Sequence, residues 1–343
     1  MLSPSSLARA GAWLDRAAFR PKTLPDDLVT GIALVPPVVA GVLIFKVPAL
    51  EMLGIAVASG ALAIALARAV WRHERVPTGA SPILAAIIGV ALVGAGASLT
   101  ISIEIAVAAA VLEVLRARFM PAIRAQAGLL AYAVVALATR GAPSAYVNPA
   151  NGAAFTDPLA TWYQFFSPGT APIDPVRLYI GNVPGPVFAT SLLAVVVGVA
   201  WLAYARRVSL VVLFGFVAGG LLAISTLHWD AVFQLDSGPT WFVAGLVLAD
   251  RRLLPDSWAM RPTLGFAAGL FAIGLRRPPQ GAWFAGHGLD VAFFTVAVIQ
   301  AVLAVVVVVV WGASVAIGRW KRTRRLRQRE ANLRVVKTAS RAS

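Results

Sequence analysis

Ten stretches of this chain are apolar enough to leave water for lipid: Leu28–Phe45, Glu51–Val70, Ser81–Ser98, Ile101–Leu115, Ala125–Ala138, Pro186–Tyr204, Val208–Leu227, Pro239–Ala249, Thr263–Leu275 and Val291–Ile317. A spanning helix needs about 20 such residues to cross roughly 30 Å of hydrocarbon. Composition agrees. The chain is 59% hydrophobic and 13% charged, where a soluble domain carries about 25% charged residues. That leaves too little polar surface to cover a globule. The reading is an all-α integral membrane fold of about ten transmembrane helices. Ile101–Leu115, Pro239–Ala249 and Thr263–Leu275 are short, since a dozen helical residues cover only about 18 Å. They read as half-helices lining a cavity, or as helices that borrow their flanks.

The formal charge of +15 points first to nucleic acid, but its distribution points to topology. With the N-terminus inside, 25 of the 30 Lys and Arg residues fall on inside segments and alternate with each helix. Cytoplasmic segments of membrane proteins collect Lys and Arg in this way. Both termini are therefore read as cytoplasmic and the helix number as even. The basic tail Arg319–Arg341 reads as a segment lying on anionic lipid or as a solvated helix, and nucleic acid is set aside as a partner. The chain has no cysteine, which excludes disulfides, thiolate iron–sulfur ligands and a cysteine nucleophile. His73, His228 and His287 do not pair at helical spacing, and no metal site is read from the sequence. About 27 residues, many of them polar, precede the first apolar run, which is not the pattern of a cleavable signal.

The chain divides into a cytoplasmic segment 1–27, a first membrane half 28–139, an outer loop 140–185, a second membrane half 186–317 and the basic tail 318–343. Five helices on each side of a central loop is the layout of an internal inverted repeat. A loop of more than 40 residues is usually functional or disordered. This one carries Trp162, Tyr163, Phe165, Phe166 and Tyr179, an aromatic surface fit to pack on the membrane domain or on a planar ligand.

Several short motifs stand out. Gly181-Asn182-Val183-Pro184-Gly185-Pro186 is a tight turn feeding a helix. It is either a plain helix start or a helix N-terminus facing phosphate or another anion. Asp236-Ser237-Gly238-Pro239 is an N-cap signature before the run that ends at Asp250. Glu104 and Glu113 lie among apolar residues, where carboxylates are costly and often functional. Glu113 stands three residues before Arg116, so a structural pair is an equally good reading, and Glu104 is close enough to the outer end to reach water. Asp157-Pro158-Leu159-Ala160-Thr161-Trp162 reads as a turn leading into the aromatic segment.

Gly181-Asn182-Val183-Pro184-Gly185 followed by Ala189-Thr190-Ser191 resembles the GNVPG…ETS signature of the D subunit of the Rnf electron-transport complex, related to the B subunit of sodium-pumping NADH:quinone reductase. Asp236-Ser237-Gly238 with Asp250 is similar to that family's LSG…TDP stretch. Gly265 through Arg276 is similar to its GALAGLLVWLIR stretch, and Asp290-Val291-Ala292-Phe293-Phe294 to its DGVAFA stretch. Thr78-Gly79-Ala80-Ser81 with Gly89 loosely matches its DGSALVTG region. The likeness runs over about residues 24–312 and is sharper in the second half. It implies a ten-helix fold with an inverted repeat, in a bacterial inner membrane, as part of an ion-translocating oxidoreductase with other membrane and peripheral subunits. It also implies FMN attached by a flavin transferase through its phosphate to an outer threonine. Thr161 is the candidate, with Asp157 and Ala160 beside it. Gly181, Asn182, Gly185, Ser237 and Gly238 are the further candidate cofactor contacts. The chain departs from the family in two places. The Ser-Gly of the attachment motif is missing before Ala160-Thr161, and the family's glycine-rich segment after the fourth helix is replaced by Arg116–Gly128. Val147-Asn148-Pro149-Ala150 is similar to the FNPA end of that segment but lies later. The competing readings are a solute channel or transporter on the same fold without flavin, and a membrane anchor for redox partners.

Overall fold

The computed structural model describes residues 23–71, 79–155, 175–229, 231–235, 237–277, 279–310 and 312. Each of the ten apolar runs carries one helix. In the first half these are α1 (Asp26–Phe45), α2 (Val47–Val70), α3 (Ser81–Ala91), α4 (Leu99–Phe119) and α5 (Ala127–Ala138). A short α6 (Pro175–Ile180) lies in the outer loop. The second half holds α7 (Leu192–Tyr204), α8 (Leu210–Leu227), the short α9 (Ala231–Leu235), α10 (Gly238–Leu248), α11 (Met260–Gly274), the short α12 (Gln280–Gly286) and α13 (Val291–Val310). Among the described residues four helices, α1, α2, α8 and α13, are long and apolar enough to cross a membrane. Their exposed faces carry large apolar side chains such as Leu43, Leu66, Phe214 and Val309. Lipid, rather than water, suits such a surface.

Helix lengths differ from the sequence expectation in two directions. The short run Ile101–Leu115 borrows its flanks and becomes the 21-residue α4, capped by Ser98 Oγ, which accepts from the Ile101 amide at 3.4 Å. Two longer runs are broken instead. Within Ser81–Ser98 the helix stops at Ala91, and within Pro186–Tyr204 it starts only at Leu192. Residues 92–94 and 186–191 are left as buried irregular backbone, which is tolerated at membrane depth where protein satisfies its polar groups. Gly94 N donates to Pro143 O (2.8 Å), Gly96 N to Ala145 O (2.9 Å), Val187 N to Val93 O (2.8 Å) and Phe188 N to Ala91 O (3.2 Å). Three chain segments thus share one knot at the end of the helices that the charge pattern assigns to the outer side.

Helices approach closely where glycine removes the side chain. Gly215 and Gly219 of α8 face α11, while Gly265 and Gly269 of α11 face α8. A Cβ on Gly219 would lie 2.0 Å from Phe266 O, and one on Gly269 would lie 2.0 Å from Phe216 O. Such small-xxx-small pairs let helices gain dispersion contact in lipid, where no hydrophobic force drives them together. Between the halves, α1 crosses α7 at Gly198, whose Cβ would meet Ala33 O at 2.4 Å, and Trp201 Nε1 donates to Val29 O at 3.1 Å.

The N-cap of α5, Gln126, donates its backbone amide to Gln300 Oε1 of α13 at 2.9 Å. In the loop between the halves, Tyr146–Val147 (β1) pairs antiparallel with Ala154–Phe155 (β2), and Asn148 and Asn151 side chains accept from amides in the turn between them.

Candidate functional site

Where this knot meets the second half, several helix ends converge. Ser191 caps α7, its Oγ accepting from Ala194 N at 3.3 Å. Gly181, at φ 92°, turns the chain so tightly that a Cβ would stand 2.6 Å from the Ser191 backbone. Only glycine adopts that conformation without strain. Gly238 opens α10 against the same segment, and its Cβ would lie 2.1 Å from Thr190 O. Beyond its first turn α10 continues as the π-helix Phe242–Leu248, all of it buried, with Ala249 N reaching back to Ala244 O at 2.9 Å. Such π turns are often found at functional sites.

Into this corner comes Arg276, just after α11 and only 2% exposed. Its Nη1 donates to Gln234 Oε1 at 2.7 Å and its Nη2 to Thr240 Oγ1 at 2.8 Å. Thr240 Oγ1 in turn donates to Ser237 Oγ at 3.3 Å. Asp290 caps α13, accepting from Phe293 N at 3.0 Å. It feels the Arg276 charge through space without a direct ion pair. Gln234 Nε2 is buried with no hydrogen-bond partner. A buried charge is normally paired, and a buried amide N–H normally satisfied, so this cluster has unused donor capacity.

Of the sequence candidates, the structure brings Gly181, Gly185, Ser237 and Gly238 together as buried backbone, with Asn182 exposed at the turn. Thr161, Asp157 and Ala160, like Asp236 and the aromatics Trp162 to Phe166, lie outside the described residues. Gln234, Thr240, Arg276 and Asp290 are additions. Arg276 and Asp290 sit inside the family-like stretches, but only tertiary burial marks them. The intramembrane carboxylates divide as well. Glu113 is 4% exposed and held by Arg116, Nη2 to Oε1 at 2.6 Å and Nε to Oε2 at 2.9 Å. The structural reading therefore holds for it. Glu104 is exposed.

A second polar corner lies at the opposite side. Asp250, 5% exposed, is gripped by Arg252, whose Nη2 lies 2.6 Å from Asp250 Oδ2 and 2.8 Å from Thr30 Oγ1 of α1. Arg207 pairs with Asp26. Arg124, before α5, pairs with Asp256 at 2.6 Å. That hydrogen bond holds the Asp256 carboxyl below the usual carboxylate range, with the Arg124 charge adding to the effect. These contacts tie the start of α1 and the α4–α5 loop of the first half to loops of the second.

No curated protein matches the chain. The family model described as NQR2, RnfD, RnfE matches residues 27–285, about three quarters of the 343-residue chain and most of the helices above, and the protein belongs to that family of membrane subunits of electron-transport complexes.

Proposed function

We propose that the protein is the membrane subunit of a flavin-dependent electron-transport complex, with FMN esterified through its phosphate to Thr161 on the outer side. The observation that carries this reading is the outer corner. Four family-like stretches, contributing Ser191, Gly238, Arg276 and Asp290, fold onto one another there and leave Gln234 Nε2 unpaired. A cationic, donor-rich corner fits an anionic cofactor. When attached, FMN supplies the electron-transfer chemistry, and the protein supplies position, dielectric and hydrogen bonds. Ser191 and Gly181 hold the turn rigid. Gly238 lets α10 press against it, and the buried Arg276 sets a positive potential at the outer ends of the helices.

The reading includes ten spans in a five-plus-five inverted repeat, and several contacts support it. The third helix of each half, α3 and α10, is 11 residues long with Pro82 or Pro239 in its first turn. At the start of each, a glycine presses on the start of the first helix of its own half: Gly79 on Asp27 and Gly238 on Thr190. The second and fourth helices pair in both halves, and the two first helices cross. Partner membrane subunits and a flavin transferase belong to the same proposal, as does a bacterial inner membrane.

Co-expression with a flavin transferase tests it. Wild type should give a fluorescent band and a peptide heavier by one FMN at Thr161, and Thr161→Ala should give neither. A flavin-free wild type under those conditions would count against the reading. The broken helices α3 and α10 also suit a solute channel. Flux through flavin-free protein in proteoliposomes would favour that alternative.

A further inference from the structure

The outer corner has more donors than its own side chains can use. A guanidinium carries five N–H donors, and Arg276 spends one on Gln234 and one on Thr240. Its bond to Oε1 fixes the Gln234 amide so that Nε2, in a side chain 0% exposed, faces no acceptor. Asp290, the carboxylate that acts on Arg276, is engaged with the start of α13 instead. The N-terminal ends of α7 and α13, each longer than two turns, add partial positive charge on the same side. Both the hydrogen-bond count and the field call for an acceptor-rich anion.

We infer that Gln234, Thr240 and Arg276 form an anion subsite that takes the phosphate of the flavin. The inference rests on the flavin reading above and adds to it how the phosphate is recognised apart from the covalent bond. Thr161 would then anchor a group that the corner already selects. FMN would be preferred over riboflavin because riboflavin lacks the phosphate.

The test uses the full chain with Thr161→Ala, which forbids the ester, in phosphatidylcholine nanodiscs. Flavin fluorescence reads the binding of free FMN and free riboflavin. FMN should bind about ten- to a hundredfold more tightly, the range set by one or two charged hydrogen bonds. In Gln234→Glu, Arg276 keeps an oxygen partner while the unpaired N–H becomes a negative charge. The preference should fall to within about twofold, and inorganic phosphate should no longer compete. The melting temperature should hold or rise, because the introduced carboxylate would pair with Arg276. Arg276→Lys keeps the charge, loses the fork, and should keep only part of the preference. A preference that survives Gln234→Glu, or equal binding of the two flavins by the parent, would overturn the subsite and leave the flavin reading standing. Failure of the parent to bind either flavin would also overturn the subsite, and only a flavin-free wild type co-expressed with the transferase would take down the flavin reading with it.

Discussion

At the edge of the seam that the charge pattern assigns to the cytoplasm, side-chain charges join the two halves: Asp26 to Arg207, Asp250 and Arg252 to Thr30, and Arg124 to Asp256. At the opposite edge, assigned by that pattern to the outside, the joint is mostly backbone, with the chain after α3 bonded to the segments before α7. The polar side chains there gather within the second half, around Arg276. At the first edge each cation is bonded to a carboxylate, although Arg207 Nε is buried without a partner, so that edge reads as a fastening. At the second, Arg276 bonds only neutral groups and Gln234 Nε2 is unpaired, so that edge reads as a site. Net charge alone does not separate the two, because a buried cation is informative only through what it lacks.

Substitutions at the two edges test this difference, beginning with the largest effect. Gly238→Val drives a Cβ to 2.1 Å from the Thr190 carbonyl. The obstructing atoms are backbone and cannot rotate away, so destabilisation of about 3 kcal/mol is expected, the upper range of overpacking. Thermal unfolding in detergent would measure it, and a neutral result would mean that the outer knot is loose. Asp250→Ala leaves Arg252 without its carboxylate at the cytoplasmic edge. Arg252 is one-third exposed, so the cost is about 2 kcal/mol, below that of a fully buried orphan charge.

Gln234→Leu removes the unpaired amide but also takes an acceptor from Arg276, for a loss of about 1–2 kcal/mol. Gln234→Glu should not lose stability, and this opposite sign separates a site from a fastening. The smallest effect belongs to Asp256→Asn, since Asp256 is 85% exposed. Its carboxyl is held below the ordinary value of 3.8. Its contribution is therefore fully present above that pH and is lost as pH falls through the lowered value. The melting temperature of wild type should converge on that of Asp256→Asn in strong acid.

Much of this was legible in the sequence, and the failures have a common cause. The apolar runs locate all ten of the main helices, because lipid exposure needs length and hydropathy alone. Glu113 and Arg116 were readable as a pair from their i,i+3 spacing. The ends of α3 and α7 were not, because hydropathy does not distinguish a helix from irregular backbone buried against Pro143, Ala145 and Val93. The Gly181–Ser191 motif is legible as a turn and Gly238 as part of a helix start, but nothing local shows that the two meet. Arg276 stands out in the sequence only as the end of a family-like stretch, yet it is buried. Its partners Gln234 and Thr240 are 42 and 36 residues away, and no local pattern joins them. Resemblance singled out Thr161, which lies outside the described residues.

Sidedness is the most direct measurement, because a flavin on the outer loop requires that loop to lie outside. The chain has no cysteine, so a single introduced one is unambiguous. Asn151→Cys, in the β1–β2 turn, should react with a membrane-impermeant maleimide on intact cells. Asp256→Cys should react only after the membrane is opened. The reverse pattern would place the aromatic loop in the cytoplasm and contradict the topology, the outer site and the flavin together.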